Sequence, residues 1–398
     1  MKFIVVGAGY AGAIAARYIA ENLDEKVTLI EKRDHVAGNM FDYINNDGII
    51  VHRYGPHISV MKDEKVFNYL SRFTEWIPYE HRVNALIDNK EVPLPINFNS
   101  ILKLYDSDTA KKLIGMLIEE YGANQLVPIL MLKSHRNPVL SSFGNDIYEK
   151  VFLHYTMKMW GKSPDEIDPA VTGRIPIRLS FDNRHFLHPY QVMPKRGFTS
   201  LFNNMLNHPN IEVRLNTDAT KIIRIDLEKK SILLNEKEYR GMMVYTGALD
   251  ALFNYCHGQL PYRSLKFVFE TFAQTDIQNT AVLNWPDRRP ETRRTEMKKL
   301  TGQKCDGKTT TITEIPGAYD ISSKDFSEPL YPIISQEYQK LYNKYRMLAE
   351  QIPGFYPIGR LADYKYYNME DTVLRTLLFC EELRSKSCLL YTSPSPRD

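Results

Sequence analysis

The sequence has few cysteines, and they are not arranged to suit a metal site or a disulfide framework. The four are Cys256, Cys305, Cys380 and Cys388, and no two of them form a C-x-x-C pair. Zinc sites and small disulfide-stapled domains both need closely spaced cysteines. The sequence therefore predicts no metal site, and its cysteine usage is typical of a protein in a reducing cytoplasm.

An excess of charge of one sign is also lacking. The 51 basic and 48 acidic side chains leave a formal net charge of +3 over 398 residues. Proteins that bind nucleic acid or membrane surfaces usually carry a strong basic excess, so neither partner is predicted and any anion site has to be local. No run of about 20 uninterrupted apolar residues is present, so no membrane span is predicted.

Closely spaced glycines stand at the amino-terminal end, in MKFIVVGAGYAGAIAA. A signal peptide is one interpretation of an apolar segment after a lysine. However, Gly7, Gly9 and Gly12 form G-x-G-x-x-G between a β-branched run and a helical pattern, and Glu31 ends the next predicted strand. This spacing favours a Rossmann-like βαβ unit, with a pyrophosphate at the helix N-terminus and a ribose on the carboxylate.

Further residues favour FAD over NAD as the cofactor. Lys32 follows the acidic residue, and Gly38 with Asn39 extends the glycine pattern as in many FAD proteins. Gly359 and Arg360 precede the last predicted helix, at the place where such proteins bring a late strand and helix back to the flavin. The N-terminus of that helix would also favour a reduced, anionic flavin.

The predicted fold class is α/β, with a Rossmann-like FAD-binding domain, an inserted helical domain and an antiparallel β-sheet substrate domain. Residues 1–80, 192–250 and 350–386 are assigned to the FAD-binding domain, and residues 99–172 to the helical domain with a mobile loop. Residues 81–98, 173–191 and 251–335 are assigned to the sheet domain, and 388–398 to a non-structural tail. Local patterns predict a helix over 62–76, a hairpin turning at Asp88 and Asn89, and a final helix over 369–386.

Ordered motifs along nearly the whole chain resemble the UDP-galactopyranose mutase family. They are GAGYAGA, IEKRDHVAGN, YGPH, LPIN, YTMKMWGKSP, RIPIRLSFDN, YTG, YRSLKF, TRRTE, LYP and GRLADYKYYNM. The resemblance implies an isomerase that interconverts the pyranose and furanose forms of UDP-galactose without net redox change. Reduced FAD would attack the anomeric carbon through N5 and displace UDP, so no protein nucleophile is needed.

The resemblance also implies partners and a location. The substrate would be UDP-galactose, and an external reductant such as NAD(P)H or a reductase would keep the flavin reduced. The enzyme would be cytoplasmic, and a homo-oligomer is left open.

Site residues follow from the resemblance by motif position. Arg174 and Arg293 match the two diphosphate-binding arginines, with Arg294 as an alternative because the segment after Asn284 is one residue shorter than usual. Tyr331 and Tyr366 match the tyrosines at the diphosphate. Arginine suits this role because its planar fork is always charged and binds phosphate oxygens in pairs.

The remaining matches line the substrate and the flavin. His57, with Gly55 in YGPH, matches the histidine beside the flavin. The other matched positions belong to the substrate pocket: Phe152, Tyr155, Thr156, Trp160, Arg263, Asn284 and Glu314.

Three positions depart from the family pattern. Val60 replaces a second histidine, His185 stands where a tyrosine is common, and Asn368 stands where an aspartate is common. These departures leave the sugar preference open, so a mutase for another UDP-hexopyranose is an alternative. A flavin amine oxidase-like oxidoreductase and an inactive UDP-sugar-binding relative are the others.

Overall fold

The structure is a computed structural model that describes residues 2–161 and 176–392, with side chains as far as residue 385. Arg174 lies outside the described residues, as does most of the loop that follows Trp160.

The strands of the described residues are β1 Phe3–Val6, β2 Val27–Ile30, β3 Asp42–Ile44, β4 Ile50–His52, β5 Ser59–Met61, β6 Trp76–Pro78, β7 Val83–Ile87, β8 Lys90–Leu94, β9 Leu126–Val127, β10 Ile177–Arg178, β11 Tyr190–Pro194, β12 Ile211–Arg214, β13 Ile223–Asp226, β14 Ser231–Leu234, β15 Lys237–Tyr239, β16 Met242–Tyr245, β17 Tyr262–Phe272, β18 Val282–Asn284, β19 Arg293–Glu296, β20 Thr309–Ala318, β21 Tyr331–Pro332 and β22 Phe355–Pro357. The α-helices are α1 Tyr10–Asn22, α2 Glu64–Ser71, α3 Phe98–Leu104, α4 Ser107–Tyr121, α5 Ile129–Lys133, α6 Pro138–Ile147, α7 His154–Trp160, α8 Gly197–Leu206, α9 Ala219–Ile222, α10 Leu249–Leu252, α11 Met297–Thr301, α12 Gln336–Glu350 and α13 Met369–Thr392. A 3-10 helix spans Gly38–Met40, and a π-helix spans Tyr148–Leu153.

A five-stranded parallel sheet has the order β12–β2–β1–β16–β22. All four residues of β1, FIVV, are buried, as is usual in a parallel sheet covered on both faces. Helices α1, α8 and α13 pack in one core with this sheet, while α10 and α12 contribute to a core that contains the alternate side chains of β1. This arrangement confirms the predicted Rossmann-like α/β fold.

A second sheet has seven strands in the order β21–β17–β20–β19–β18–β7–β8. Strands β17 and β20 pair antiparallel from Arg263↔Ala318 to Phe272↔Thr309. One pair, β18 with β7, is parallel. The sheet that the sequence predicts to be antiparallel is therefore mixed at this one place.

Helices α3 to α7 lie between β8 and β10 in the chain, and α3 to α6 share a core with side chains of the neighbouring strands. Its buried members include Leu117, Ile129, Leu132 and Ile147. The sequence patterns predict no strand in this block, but β9 pairs antiparallel with β10 on its far side. The domain boundaries proposed from the sequence stay predictions.

One predicted hairpin and two predicted helices are present, and both helices differ from the prediction in length. The β7–β8 hairpin turns at Asp88 and Asn89, whose φ angles of 50° and 60° suit a type I′ turn. The helix expected over 62–76 is shorter: α2 ends at Ser71, because Trp76–Pro78 pairs as a strand with β11. Helix α13 extends beyond the predicted end to Thr392, so it includes residues assigned to a tail.

Candidate active site

The glycine loop after β1 is shaped by close backbone approach. A Cβ atom on Gly12 would lie 1.8 Å from the carbonyl oxygen of Gly7. Only glycine therefore fits at this position in the first turn of α1. A Cβ on Gly38 would lie 2.9 Å from the Cα of Gly9, which brings the second glycine segment against the first. These contacts leave bare backbone at the N-terminus of α1, as a pyrophosphate requires.

The predicted ribose carboxylate is held beside this loop. Glu31 is buried, and its two oxygens accept the amides of Ala8 at 2.8 Å and Arg33 at 3.0 Å. Arg33 also donates to Asn39 Oδ1 at 3.0 Å and lies over the ring of Tyr54. Sequence reasoning selects the neighbouring Lys32, whose side chain is 54 % exposed. Arg33 is the basic residue that the structure places at the loop.

The late glycine returns to the same loop. A Cβ on Gly359 would lie 3.0 Å from the Cβ of Ala11 in α1. The next residue, Arg360, donates to the carbonyls of Leu330 at 3.3 Å and Tyr367 at 2.5 Å. Arg360 is thereby fixed between the residue that precedes β21 and the segment that leads into α13.

Three adjacent strands place predicted site residues side by side. Asn284 on β18 pairs with Arg293 on β19, which pairs with Glu314 on β20. Arg293 Nε donates to Glu314 Oε1 at 2.7 Å, and Glu314 is 1 % exposed. Burial opposes the positive charge, but Glu314 outweighs it and raises the pKa of Arg293. Asn284 Oδ1 is buried without a hydrogen-bond partner among the described residues.

Arg294 has different surroundings from Arg293. Successive side chains of a strand point to opposite faces, so Arg294 cannot share the row of Asn284 and Glu314. Its Nε donates to Gln278 Oε1 at 3.1 Å, and its guanidinium lies over Trp285. The geometry therefore distinguishes the two arginines and favours Arg293 for the site.

The YGPH turn lies against this row. A Cβ on Gly55 would lie 3.2 Å from the ring of Phe267 and 3.9 Å from Glu314 Oε1. The amide of His57 donates to His52 Nδ1 at 3.0 Å, while His57 Nδ1 is buried without a partner among the described residues. Burial, reinforced by His52 and Arg360, lowers the pKa of His57 to about 3. The ring is therefore neutral at pH 7.

Aromatic residues form the opposite side of the site. The rings of Tyr331 and Tyr366 stack with centroids 5.9 Å apart, and Trp160 lies 6.5 Å from Tyr366. The Arg360 guanidinium lies 5.6 Å from the Tyr331 ring and 5.7 Å from the Tyr366 ring. Burial raises the pKa of Tyr331 to about 12, although Arg293 and Arg360 act in the opposite direction. Both arginines are thus within electrostatic reach of one hydroxyl.

Helix α7 contributes the side chains before Trp160. Tyr155 is close enough to Arg293 to affect its pKa, and Thr156 is buried in the helix. Phe152, in the π-helix before α7, packs against the core of the helical block. The π-helix thus joins that core to the site.

Arg263 supports α7. Its Nε donates to the carbonyl of Met159 at 2.7 Å and a terminal nitrogen to that of Lys158 at 2.9 Å. Lys158 Nζ in turn donates to the carbonyls of Trp285 at 2.6 Å and Glu291 at 2.7 Å. These four bonds tie the end of α7 to β17 and to the β18–β19 connection. Sequence reasoning misses Lys158, since a lysine in a helix is usually solvated.

His185 lies near a second histidine that the sequence motifs do not indicate. Its Nδ1 is 3.3 Å from the carbonyl of Leu94, and its ring meets His81 edge-on at 5.5 Å. His81 is buried, and burial, followed by the charges of His185 and Arg293, lowers its pKa well below the usual value. Arg178 donates to the backbone carbonyls of residues 182, 184 and 185 and so orders the segment that carries His185. His81 lies in the segment between β6 and β7, where no strand pattern or motif marks it out.

Asn368 is engaged at the start of α13. Its Oδ1 accepts the amide of Asp371 at 2.7 Å, and its own amide donates to Asp371 Oδ2 at 3.2 Å. This is the reciprocal arrangement of a helix cap. An aspartate at this position could accept the same amide, so the departure from the family pattern preserves the cap.

The residues present fit a bound dinucleotide and an anionic substrate. The glycine contacts form a cradle at the helix N-terminus, and the unpartnered His57 Nδ1 and Asn284 Oδ1 are unused polar atoms near Arg293. Among the described residues, no cluster of His, Cys, Asp and Glu could hold a metal ion, and no helix is long and apolar enough to cross a membrane.

Comparison with known families gives two matches to this chain. The model of the UDP-galactopyranose mutase family matches residues 150–366, and that of an NAD(P)-binding Rossmann-like domain matches residues 5–73. The chain is 34% identical over 385 residues to a UDP-galactopyranose mutase of Mycoplasma pneumoniae, covering 96% of each chain. It is 32% identical to a dTDP-fucopyranose mutase of Escherichia coli, covering 97% of this chain and 99% of that one.

Solved structures share the fold at low identity. A reduced UDP-galactopyranose mutase superposes with a TM-score of 0.74 at 16% identity, covering 97% of this chain and 94% of that one. A putrescine oxidase bound to putrescine superposes with a TM-score of 0.56 at 10% identity, covering 97% of this chain and 99% of that one. The fold is therefore shared with both an isomerase and an oxidase. The sequence relatives described above, at 34% and 32% identity over nearly the whole chain, are both mutases, and on that ground this chain is an isomerase that belongs to the UDP-galactopyranose mutase family.

Proposed function

We propose that this enzyme interconverts UDP-galactopyranose and UDP-galactofuranose on a bound, reduced FAD. The observation that carries the proposal is the convergence of Arg293 and Arg360 on Tyr331, with Tyr366 and Trp160 beside it. Two cations and two tyrosines beside an indole suit a nucleotide diphosphate, which needs charge for its phosphates and a flat surface for its base.

FAD is the cofactor that the amino-terminal residues fit best. Gly7, Gly9 and Gly12 would receive the pyrophosphate, and Glu31 would accept bonds from a ribose. Arg33 and Asn39 would complete this end, and Gly55, His57 and Gly359 would lie toward the flavin. When reduced, the flavin supplies the nucleophile for the anomeric carbon, so the protein has to orient the sugar and hold the leaving group.

The arginines are assigned to stabilise the leaving group, UDP. Arg293, fixed by the buried Glu314, lies within electrostatic reach of Tyr331 and would stabilise negative charge on the departing diphosphate. Arg174, in the same family role, is assigned by motif position alone. A permanent cation suits this step because UDP has to be retained until the sugar ring has closed again.

The other site residues are assigned to the sugar and to the base of the substrate. Asn284 Oδ1 has no hydrogen-bond partner among the described residues and lies in the row of Arg293, and the low pKa values of His57 and His81 keep two rings near Arg293 neutral. Thr156, Tyr155 and Trp160 on α7 would meet the nucleotide end, while Phe152 supports them. Arg263 acts on the substrate indirectly, because its guanidinium holds the end of α7.

A second candidate is mutase activity on a different nucleotide sugar. The Escherichia coli relative is named for a dTDP-linked fucose and is nearly as similar as the UDP-galactose mutases. His185, in place of the common tyrosine, changes one aromatic neighbour of the substrate. A UDP-linked N-acetylated or deoxy hexose falls in the same class.

A substrate panel tests these assignments. The holoenzyme, reduced with dithionite under anaerobic conditions, is incubated separately with UDP-galactofuranose and dTDP-fucofuranose, and the nucleotides are separated by chromatography. The oxidised holoenzyme, free of dithionite, is incubated with putrescine in air, and its oxygen uptake is recorded. We expect UDP-galactopyranose to form fastest. Faster conversion of the dTDP sugar would reassign the preferred substrate to a dTDP-linked sugar. Oxygen uptake with the amine, together with no conversion of either sugar, would refute the mutase assignment. The cytoplasm, where NAD(P)H or a reductase can keep the flavin reduced, is the compartment that fits this chemistry.

A further inference from the structure

A buried histidine, His52, is hydrogen-bonded to the YGPH turn. His52, the last residue of β4, is 1 % exposed, and its Nδ1 accepts the backbone amide of His57 at 3.0 Å. An accepting nitrogen carries no proton, so the proton of the neutral ring is on Nε2. Nε2 lies 4.0 Å from Asp42 Oδ2 and has no hydrogen-bond partner among the described residues.

Asp42 is itself firmly placed. It pairs with His52 across the β3–β4 ladder. Its carboxylate accepts the amides of Phe198 at 2.5 Å and Thr199 at 2.9 Å, in the first turn of α8. A Cβ on Gly197 would lie 2.6 Å from the same carboxylate, so the helix start and Asp42 fit closely. The carboxylate is therefore a fixed negative charge that orients the Nε2–H side of His52.

The front of the turn meets the reacting end of the site. Gly55 lies against Phe267 and Glu314, and the charges of Arg360 and Arg293 act on His57. The turn thus contacts His52 on one side, and on the other it faces the residues proposed to bind the diphosphate. Val60, in β5, has no polar group to replace the second histidine of the family pattern.

We propose that His52 is a positioning residue, which accepts the His57 amide and so fixes the orientation of the Gly55–His57 turn against the flavin. The proposal rests on the proposed function, because it assumes that this turn faces the cofactor. A histidine that only filled space would be replaceable by any side chain of similar volume. The specific requirement is an acceptor at the position of Nδ1.

Two substitutions of His52 distinguish the effect of its hydrogen-bond acceptor from the effect of its side-chain volume. In His52→Asn, Oδ1 can take the place of Nδ1, whereas His52→Leu keeps bulk and removes the acceptor. His135→Leu is the matched control, because His135 Nδ1 accepts the amide of Asn137 at the same 3.0 Å, in the helical block. The readouts are the midpoint potential of the bound flavin, kcat and KM for the nucleotide sugar.

We expect His52→Leu to shift the flavin midpoint potential and to lower kcat about five- to tenfold, as the loss of one buried hydrogen bond allows. KM should change less than about twofold, because the diphosphate residues are untouched. His52→Asn should recover most of both properties, and His135→Leu should leave both unchanged. An unchanged potential and kcat in His52→Leu, or equal behaviour of Asn and Leu, would overturn the proposal.

A third variant decides the matter if His52→Leu does not retain flavin. His52→Gln keeps size and polarity but carries its acceptor one bond further from the backbone. It should therefore shift the potential although His52→Asn does not, and identical behaviour of Gln and Asn would also overturn the proposal. A wild-type protein that binds flavin but converts no nucleotide sugar would refute the proposed function, while the potentials would still test His52.

Discussion

The Arg293 guanidinium is bound to the Glu314 carboxylate at 2.7 Å across two antiparallel strands. This pair joins the residue proposed to hold the diphosphate to the sheet that also carries Asn284. Because Glu314 is 1 % exposed, water screens its charge little, and the charge acts strongly on Arg293. The pair therefore both orients Arg293 and keeps it charged.

Arg293→Lys should lower kcat/KM by about 100-fold, since lysine keeps the charge but loses the fork that binds Glu314 and phosphate together. Flavin content should be unchanged. Arg294→Lys is the control, because Arg294 contacts Gln278 and Trp285. Initial rates with UDP-galactofuranose measure both variants, and a larger loss at Arg294 would exchange their roles.

Arg263→Ala should raise KM for the nucleotide sugar about tenfold with little change in flavin content. The substitution leaves the carbonyls of Lys158 and Met159 without their donors, at a cost of about 1–3 kcal/mol in the free energy of unfolding. Lys266→Ala, on the same strand, removes only an exposed ion pair with Asp325 and should cost no more than about 1 kcal/mol. Steady-state kinetics and urea unfolding report both effects; an unchanged KM would mean that α7 does not depend on Arg263.

Gly12→Ala should yield a protein without flavin, because the new Cβ would meet the Gly7 carbonyl oxygen at 1.8 Å. The contact is with backbone, so a rotamer change cannot relieve it. Gly115→Ala is the matched control, because Gly115 is an exposed position within α4 where an added Cβ would have no neighbouring atom within 4 Å. This control should stabilise the helix by up to about 1 kcal/mol. The ratio of flavin absorbance to protein absorbance measures the flavin content of both variants. A normal flavin content in Gly12→Ala would contradict the proposed pyrophosphate site at the glycine loop.

Acid should destabilise the fold from about pH 6.5 downward. Burial lowers the pKa of His52 to about 4 and that of His57 to about 3, from an ordinary 6.5. Between about pH 6.5 and pH 3, the two histidines are protonated in the unfolded chain but largely neutral in the folded one. The free energy of unfolding therefore falls as the pH drops through this window. At pH 5 each histidine contributes a loss of about 2 kcal/mol.

Urea unfolding of wild type and His52→Asn at pH 7.5 and pH 5 measures this contribution. The difference between the two pH values should shrink by about 2 kcal/mol in the variant. Phe202→Leu, a non-titrating change in the core, should lower the free energy of unfolding equally at both pH values. A pH difference that His52→Asn leaves intact would show that His52 titrates normally in the folded protein.

Much of the architecture could be predicted from local patterns. The glycine spacing and the β-branched runs around it predict the βαβ unit, because backbone contacts as close as that of Gly12 admit no other residue. Family motifs also identify Arg293, Tyr331, Tyr366 and Trp160, which the structure brings together. The helix expected over 62–76 is too long, because strand pairing of Trp76–Pro78 with β11 overrides the helical periodicity.

The roles of supporting residues could not be predicted in the same way. Arg263 matches the substrate pocket by motif, but its contacts with the carbonyls of α7 depend on how β17 meets a helix more than 100 residues earlier in the chain. No motif indicates His52, because its bond to the His57 amide depends on the path of the turn between them. Tertiary contacts of this kind leave no periodic pattern in the sequence.

The measurement that tests the central claim most directly is the yield of sugar product per reducing equivalent. Anaerobic holoenzyme is reduced with a known amount of dithionite, supplied with UDP-galactofuranose, and sampled for UDP-galactopyranose. An isomerase without net redox change should form many molecules of product for each flavin reduced, and the flavin should remain reduced at the end. Product limited to one molecule per reducing pair, or equal conversion by the oxidised enzyme, would contradict the account.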